Sequence, residues 1–172
     1  MNTPRDAQLA RLSALDRGEF VVRLGHVFEH SPWVAARAWA RRPFASLESL
    51  HAALVSAMEG AAPEDQLALL RAHPELGGHE AEAGTLTAAS TGEQKGAGLA
   101  GCTAAEKDRL AALNRAYRER FGFPFIIAVK GLRPAAILQA LETRLDHGAE
   151  EEFRTALAQV ARIAYFRLEA LL

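Results

Sequence analysis

The chain has 172 residues, of which 49% are hydrophobic and 24% are charged, and its formal net charge is −1. This length can bury one sizeable core, and the composition is ordinary for a globular domain. A nearly neutral chain offers no electrostatic attraction to nucleic acid or to a membrane surface, so we expect neither as a partner.

The single cysteine, Cys102, excludes an internal disulfide and any multi-cysteine metal site. No apolar run approaches the roughly 18 residues that a membrane-spanning helix needs. The N-terminal sequence lacks the basic start and apolar stretch of a secretory signal, and the C-terminal sequence carries no peroxisomal or prenylation signal. These features predict a cytoplasmic protein.

The first half of the chain is predicted to be helical. Apolar residues recur at helical spacing, Asp16 and Ser46 are suitable N-caps, and Pro32 suits the first position of a helix. The helix before His73 is expected to end there, because a residue that precedes proline is disfavoured in the α region. The predicted helices cover residues 8–15, 16–30, 32–39, 47–58 and 64–72.

The second half is also predicted to be helical, with two interruptions. The glycine-rich, charged segment 77–84 (GGHEAEAG) is predicted to be a mobile loop. The segment 123–129 (FPFIIAV) is predicted to be extended and buried, because it is rich in β-branched and aromatic residues. The predicted helices cover residues 86–99, 104–121, 134–146 and 150–172. The expected architecture is all-α, a single-domain helical bundle over residues 1–172 with one short extended segment.

Arg167 is the first candidate for a ligand contact. It lies four residues after Ile163 and four before Leu171, which places it on the apolar stripe of the last helix. A buried arginine needs an anionic partner, because an unpaired buried charge is very costly. The partner is either a carboxylate of the chain or a ligand carboxylate gripped by the guanidinium fork. Alternatively, the aliphatic stem reaches along the surface and the charge stays in water.

A second candidate is the motif LTAASTGEQKGAGL, residues 86–99. On a helix it presents a hydroxyl, a carboxylate and an amide on adjacent turns, from Ser90, Glu93 and Gln94. Such a row is either a solvated polar face or a binding face for a small polar ligand rich in amides. The neighbouring glycines allow close approach and favour the binding face.

His73 is the third candidate. A histidine at a helix end often does no more than interact with the helix dipole. It also changes charge near neutral pH, which suits proton transfer, and Glu93 would orient it if the two side chains meet.

Two other chemistries are weaker alternatives. The segment His26-Val-Phe-Glu-His30 matches the pattern H-x-x-E-H, in which two histidines on one helix face bind zinc. No signature indicates the third zinc ligand, and the predicted helix ends directly after His30. No motif places a base beside Cys102, so we do not expect it to be a nucleophile.

Five motifs in a fixed order resemble the OHCU decarboxylase family, where OHCU is 2-oxo-4-hydroxy-4-carboxy-5-ureidoimidazoline. The resemblance extends over residues 20–172. The motifs are FEHSPWVAARAW, HPELGG, LTAASTGEQKGAGL, LNRAYRERFGFPFIIAV and RIAYFRLEALL. The departures are small: Glu75 stands where the family commonly has aspartate, and His79 occupies a variable loop.

The resemblance implies a homodimeric all-α enzyme that needs neither a metal nor an organic cofactor. Its substrate would be OHCU and its product (S)-allantoin, at the last step of urate degradation. His73 would be the catalytic histidine and Glu93 its catalytic partner. The family's substrate contacts fall on Pro74, Ser90, Gln94, Arg167 and the backbone of the extended segment, which comprises Phe125, Ile126, Ile127, Ala128 and Val129.

The expected chemistry follows from the substrate. Its conjugated imidazoline ring can accept the negative charge left by the loss of carbon dioxide, so the protein must hold the carboxylate, stabilise that charge and deliver a proton. The alternative is a non-catalytic helical module that binds a small carboxylated ureide with the same arginine and glutamine.

Overall fold

The computed structural model describes residues 3–172 and confirms the predicted all-α class. No strand occurs within that range. Two short 3-10 turns, Trp39–Arg41 and Leu99–Gly101, accompany the α-helices. The helices are α1 (Pro4–Ala14), α2 (Arg17–Leu24), α3 (Trp33–Ala38), α4 (Leu47–Glu59), α5 (Pro63–Arg71), α6 (His79–Ala83), α7 (Ala88–Gly96), α8 (Ala104–Phe121), α9 (Pro134–Leu145) and α10 (Ala149–Leu171).

Contacts divide the chain into two compact units. The first comprises the residues up to Ala72 together with Ala161–Leu172, and the second comprises His73–Val160. The single-domain organisation over residues 1–172 stays a prediction. In the described part of the chain, no helix is both long enough and apolar enough to cross a bilayer.

The first unit is built from capped amphipathic helices. The side chains of Asp16 and Ser46 accept hydrogen bonds from the backbone N–H groups of Glu19 and Ser49, which satisfies helix-end donors that would otherwise lack partners. The apolar stripe of α4 is buried as its spacing predicted, and apolar residues of α1, α2 and α3 are buried with it.

The predicted continuation of α2 to residue 30 is wrong, because the helix ends at Leu24. At the next residue, Gly25, a Cβ atom would lie 2.5 Å from the Val21 carbonyl oxygen, so the tight turn requires glycine. The chain then runs through irregular turns to His30, whose φ is 49°. Val27 and Phe28 are nevertheless buried, so burial rather than helical geometry explains why they are apolar.

In the second unit the longest helix has clear sequence signals at both ends. Thr103 and Glu106 form the predicted capping box of α8, and Gly122 ends the helix in the left-handed conformation at φ 78°. The segment 123–129 follows without helical structure, and most of its residues are buried, which confirms the prediction of a buried extended segment.

One element and one boundary in the second unit differ from the predictions. The segment 77–84, predicted to be a loop, contains the short helix α6, because the residues between Gly78 and Gly84 are mostly glutamate and alanine, which have good helix propensity. Helix α7 begins at Ala88 rather than at residue 86, because the Thr87 side chain caps it by accepting a hydrogen bond from the Ser90 N–H. It ends at Gly96, two residues before Gly98 adopts a φ of 76°.

Candidate active site

His73 lies directly beyond α5, at the predicted corner. Helix α5 ends at Arg71, and Pro74 disfavours the α conformation at His73. The His73 side chain is buried, with 8% of the residue exposed, and Pro74 is half-buried. A frayed helix end would leave a histidine in water, so the burial favours a functional or packing role for His73.

Helices α7 and α8 fix the backbone that follows His73. The Gly77 N–H donates to Gln94 Oε1 at 2.9 Å, and Gln94 Nε2 donates to the Glu75 carbonyl at 3.4 Å. From α8, Asn114 Nδ2 donates to the Leu76 carbonyl at 3.0 Å. The segment after His73 is therefore held at three consecutive residues and does not behave as a free loop up to that point.

Two further features support this arrangement. Arg118 forms an ion pair with Glu75, the residue that departs from the family's commoner aspartate. Gly77 has a φ of 60°, and a Cβ atom there would lie 2.9 Å from Leu110 Cδ2. A side chain at Gly77 would strain the backbone, and the Leu110 side chain would have to move to admit it.

The polar face of α7 is turned inward. Ser90 and Gln94 are buried and Glu93 is half-buried, so the solvated-face alternative is wrong for the serine and the glutamine. Both ends of the Gln94 amide contact the chain at residues 75 and 77. A ligand contact by Gln94 stays a prediction from the family resemblance.

The extended segment is anchored along one edge. Arg144 Nη1 donates to the Ile126 carbonyl at 2.5 Å, and the Ala128 N–H donates to Gln159 Oε1 at 2.9 Å. In an extended chain the C=O of one residue and the N–H two residues later face the same edge, while the groups between them face the opposite edge. The Ile127 backbone makes no hydrogen bond within residues 3–172, so it can meet a ligand on the opposite edge.

Sequence reasoning missed a buried charged network in the second unit. Glu152 is fully buried and lies at its centre, where it accepts from Tyr117 Oη at 2.5 Å and from Arg144 Nε at 2.6 Å. His147 Nδ1 lies 3.0 Å from the other carboxylate oxygen. Arg144 follows the buried Leu141 by three residues, so the spacing argument used for Arg167 could have found it.

Burial and this carboxylate affect the phenol of the network. Burial, reinforced by the hydrogen bond to Glu152, raises the pKa of Tyr117 far above its usual value of 10.0. The Tyr117 hydroxyl therefore stays protonated at neutral pH, where it donates its hydrogen bond to Glu152.

Arg167 is buried in the first unit, as predicted, and a carboxylate of the chain pairs with it. Its Nη1 donates to Glu29 Oε2 at 2.8 Å, and the two side chains are 7% and 1% exposed. The same nitrogen lies 3.4 Å from the Val27 carbonyl. The predicted need for an anionic partner is therefore confirmed, and the contact of Arg167 with a ligand carboxylate stays a prediction.

The alternative chemistries lose their geometric basis. His26 and His30 are exposed and lie outside any helix, so they do not share the helix face that the zinc pattern requires, and Glu29 is paired with Arg167. Among the described residues 3–172, no group of three or more histidine, cysteine or acidic side chains could hold a metal ion. Burial, with Glu106 nearby, raises the pKa of Cys102, which disfavours the reactive thiolate.

A buried histidine beyond the end of a helix, with a second helix that turns a serine and a glutamine inward, fits a helical enzyme for a small polar substrate. The family model for OHCU decarboxylase matches residues 13–169. The chain therefore belongs to the OHCU decarboxylase family, as its motifs indicated.

Individual relatives agree with this assignment. The chain is 48% identical to a 2-oxo-4-hydroxy-4-carboxy-5-ureidoimidazoline decarboxylase of Haloferax volcanii, and the match covers 93% of each chain. It is 43% identical to a uric acid degradation bifunctional protein of Bacillus subtilis, over 91% of this chain and 31% of that protein. Among solved structures, an (S)-allantoin synthase superposes with a TM-score of 0.74 at 32% identity, covering 95% of this chain and 54% of that one.

Proposed function

We propose that this protein is a carboxy-lyase that converts OHCU to (S)-allantoin, the final step of urate degradation. The observation that carries the proposal is that the family match includes every residue that the resemblance assigns to the site, from His73 to Arg167. The burial of His73, Ser90 and Gln94 supports it, because polar side chains turned inward suit an enclosed site for a polar substrate.

The proposed chemistry requires little of the protein beyond positioning and proton transfer. Loss of carbon dioxide leaves negative charge on the conjugated imidazoline ring, so the substrate serves as its own electron sink and no cofactor is invoked. His73 acts on the substrate hydroxyl or ring proton and then delivers a proton to one face of the product carbon, with Glu93 as its partner. Delivery to one face accounts for a single enantiomer.

The substrate contacts are divided between side chains and backbone. Ser90 and Gln94 are proposed to contact the ureido group, and Pro74 to line the site. The open backbone edge at Ile127 is proposed to meet the ring amides. The family resemblance assigns Arg167 to an anionic group of the substrate, and the variant Arg167→Lys tests that assignment.

The variant His73→Asn tests the catalytic assignment. Proton transfer by a placed side chain contributes about 100- to 10,000-fold, so the variant should bind substrate but lose about that factor in kcat. The assay mixes purified protein with freshly generated OHCU and follows the appearance of optically active allantoin by circular dichroism.

The control is His79→Asn, which removes an exposed histidine six residues away in α6 and should retain the wild-type rate. A near-wild-type rate for His73→Asn would contradict the role of this histidine. A wild-type protein that does not accelerate the spontaneous decay of OHCU would instead indicate the non-catalytic binding module.

We also propose that the protein is a cytoplasmic homodimer, as the family resemblance and the sequence composition indicate. Light scattering coupled to size-exclusion chromatography should give twice the chain mass of 18.6 kDa. Fractionation of the producing cells should place the protein with cytoplasmic markers.

A further inference from the structure

We propose that Arg144 is a positioning residue for this enzyme: held by Glu152, it fixes the backbone of residues 125–129 so that the Ile127 edge is presented to the substrate. The inference rests on the proposed function for the identity of the ligand. All the residues from which it is argued lie within His73–Val160, the second compact unit.

Arg144 contacts Glu152 and the extended segment through different nitrogens of its guanidinium. Nε and Nη2 lie 2.6 Å and 2.5 Å from Glu152 Oε1, and Nη1 donates to the Ile126 carbonyl at 2.5 Å. The guanidinium carbon lies 4.5 Å from the centre of the Phe125 ring. The hydrogen bonds of Nε and Nη1 thus join the guanidinium to Glu152 and to the extended segment, while Nη2 lies close to Glu152 without a hydrogen bond.

The carboxylate that holds Arg144 is itself fixed. Glu152 is fully buried, and the Tyr117 hydroxyl and the His147 ring bind its two oxygens. Tyr117 stacks edge-on against Phe125, with ring centroids 5.4 Å apart, so it reaches the same segment from α8. The network therefore joins α8, α9 and α10 to residues 125–126.

A purely structural ion pair would need only the contact between Arg144 and Glu152. In this protein Arg144 Nη1 also donates to a backbone carbonyl, that of Ile126, in a segment that belongs to no helix or sheet. Gln159 binds the Ala128 N–H on the same edge at 2.9 Å. Two side-chain bonds replace the ladder that a sheet would supply, and they determine which backbone groups remain for a ligand.

The substitution Arg144→Lys tests the proposal in the full-length chain. Lysine keeps a positive charge for Glu152, but a single ammonium cannot reproduce the planar fork that reaches both Glu152 and the Ile126 carbonyl. Because the segment is proposed to bind ground state and transition state alike, KM should rise about 10- to 100-fold while kcat changes little.

Two further variants separate positioning from stability. Gln159→Leu removes the second anchor without touching the buried ion pair, and it should also raise KM. Ile137→Val lies on the buried face of α9, and it should lower the thermal midpoint without changing KM. Wild-type KM values in both Arg144→Lys and Gln159→Leu would overturn the proposal, as would an equal rise in Ile137→Val.

A measurement without substrate separates this inference from the proposed function. In Arg144→Lys the Ala128 amide should exchange its hydrogen at least tenfold faster than in the wild type, by NMR, while amides of α8 keep their protection. Unchanged exchange at Ala128 overturns the positioning role whatever the catalytic result. Faster exchange in a protein that does not accelerate OHCU decay would support the positioning of the segment and refute the proposed function.

Discussion

The two compact units each bury one arginine–glutamate pair, and the two pairs differ in what surrounds them. In the first unit, Arg167 of α10 binds Glu29, which belongs to the irregular turn after α2. In the second unit, Arg144 of α9 binds Glu152 of α10, and this glutamate also binds Tyr117 and His147. Both pairs are almost completely removed from solvent.

The difference shows that burial of a charge predicts a partner but does not predict a role. The pair at Arg167 links a helix to a turn, and the family resemblance adds a ligand carboxylate. The pair at Arg144 belongs to a network of four side chains that reaches the Ile126 carbonyl. Substitutions can therefore separate a pair that chiefly fixes backbone from one that is expected to meet substrate.

The largest expected effect on stability comes from replacing Glu152 or Glu29, the buried glutamates of the two pairs. Glu152→Ala leaves Arg144 buried without its carboxylate, and breaking a buried pair in this way costs about 3–5 kcal/mol. Glu29→Ala removes the carboxylate that binds Arg167 and should fall in the same range. Urea unfolding measures both. A loss below about 1 kcal/mol in either variant would mean that the buried pair it breaks contributes little to stability.

The next effect concerns the arginine of the first unit. Arg167→Lys keeps the charge but loses the fork, so the proposed contact with a substrate carboxylate should weaken and kcat/KM should fall by about 10- to 100-fold. Arg162→Lys, an exposed change on the same helix, serves as the control. If Arg167→Lys lowers the free energy of unfolding but leaves kcat/KM unchanged, the pair with Glu29 is structural only.

The smallest effect is expected for Tyr117→Phe, which removes one hydrogen bond to Glu152 and should cost about 1 kcal/mol at neutral pH. Because burial raises the pKa of Tyr117 above its usual 10.0, the folded protein favours the neutral phenol. This contribution is complete below the unfolded pKa and is lost as pH rises from about 10 towards the folded value.

Thermal unfolding between pH 7 and pH 11 tests the pH-dependent contribution of the Tyr117 phenol to stability. The wild-type midpoint should fall more steeply above pH 10 than that of Tyr117→Phe. Parallel curves would mean that the Tyr117 phenol does not couple to folding and that the network at Glu152 is weaker than its distances indicate.

Local sequence signals predicted much of the fold. The caps at Asp16, Ser46 and Thr103 act within one helical turn, so their geometry follows from neighbouring residues. The end of α2 was misjudged because apolar residues continue beyond Gly25 at helical spacing, and only the contact with the Val21 carbonyl shows that the chain turns there.

The sequence by itself determined every helix except α6, the buried extended segment, the corner at His73 and the family, because each follows from periodicity, capping or motif order. Only the tertiary structure showed that Glu29 pairs with Arg167, 138 residues away, and that Gln94 binds the backbone at residues 75 and 77. Helical spacing indicates that a side chain points inward, but its partner depends on which distant segment packs against it.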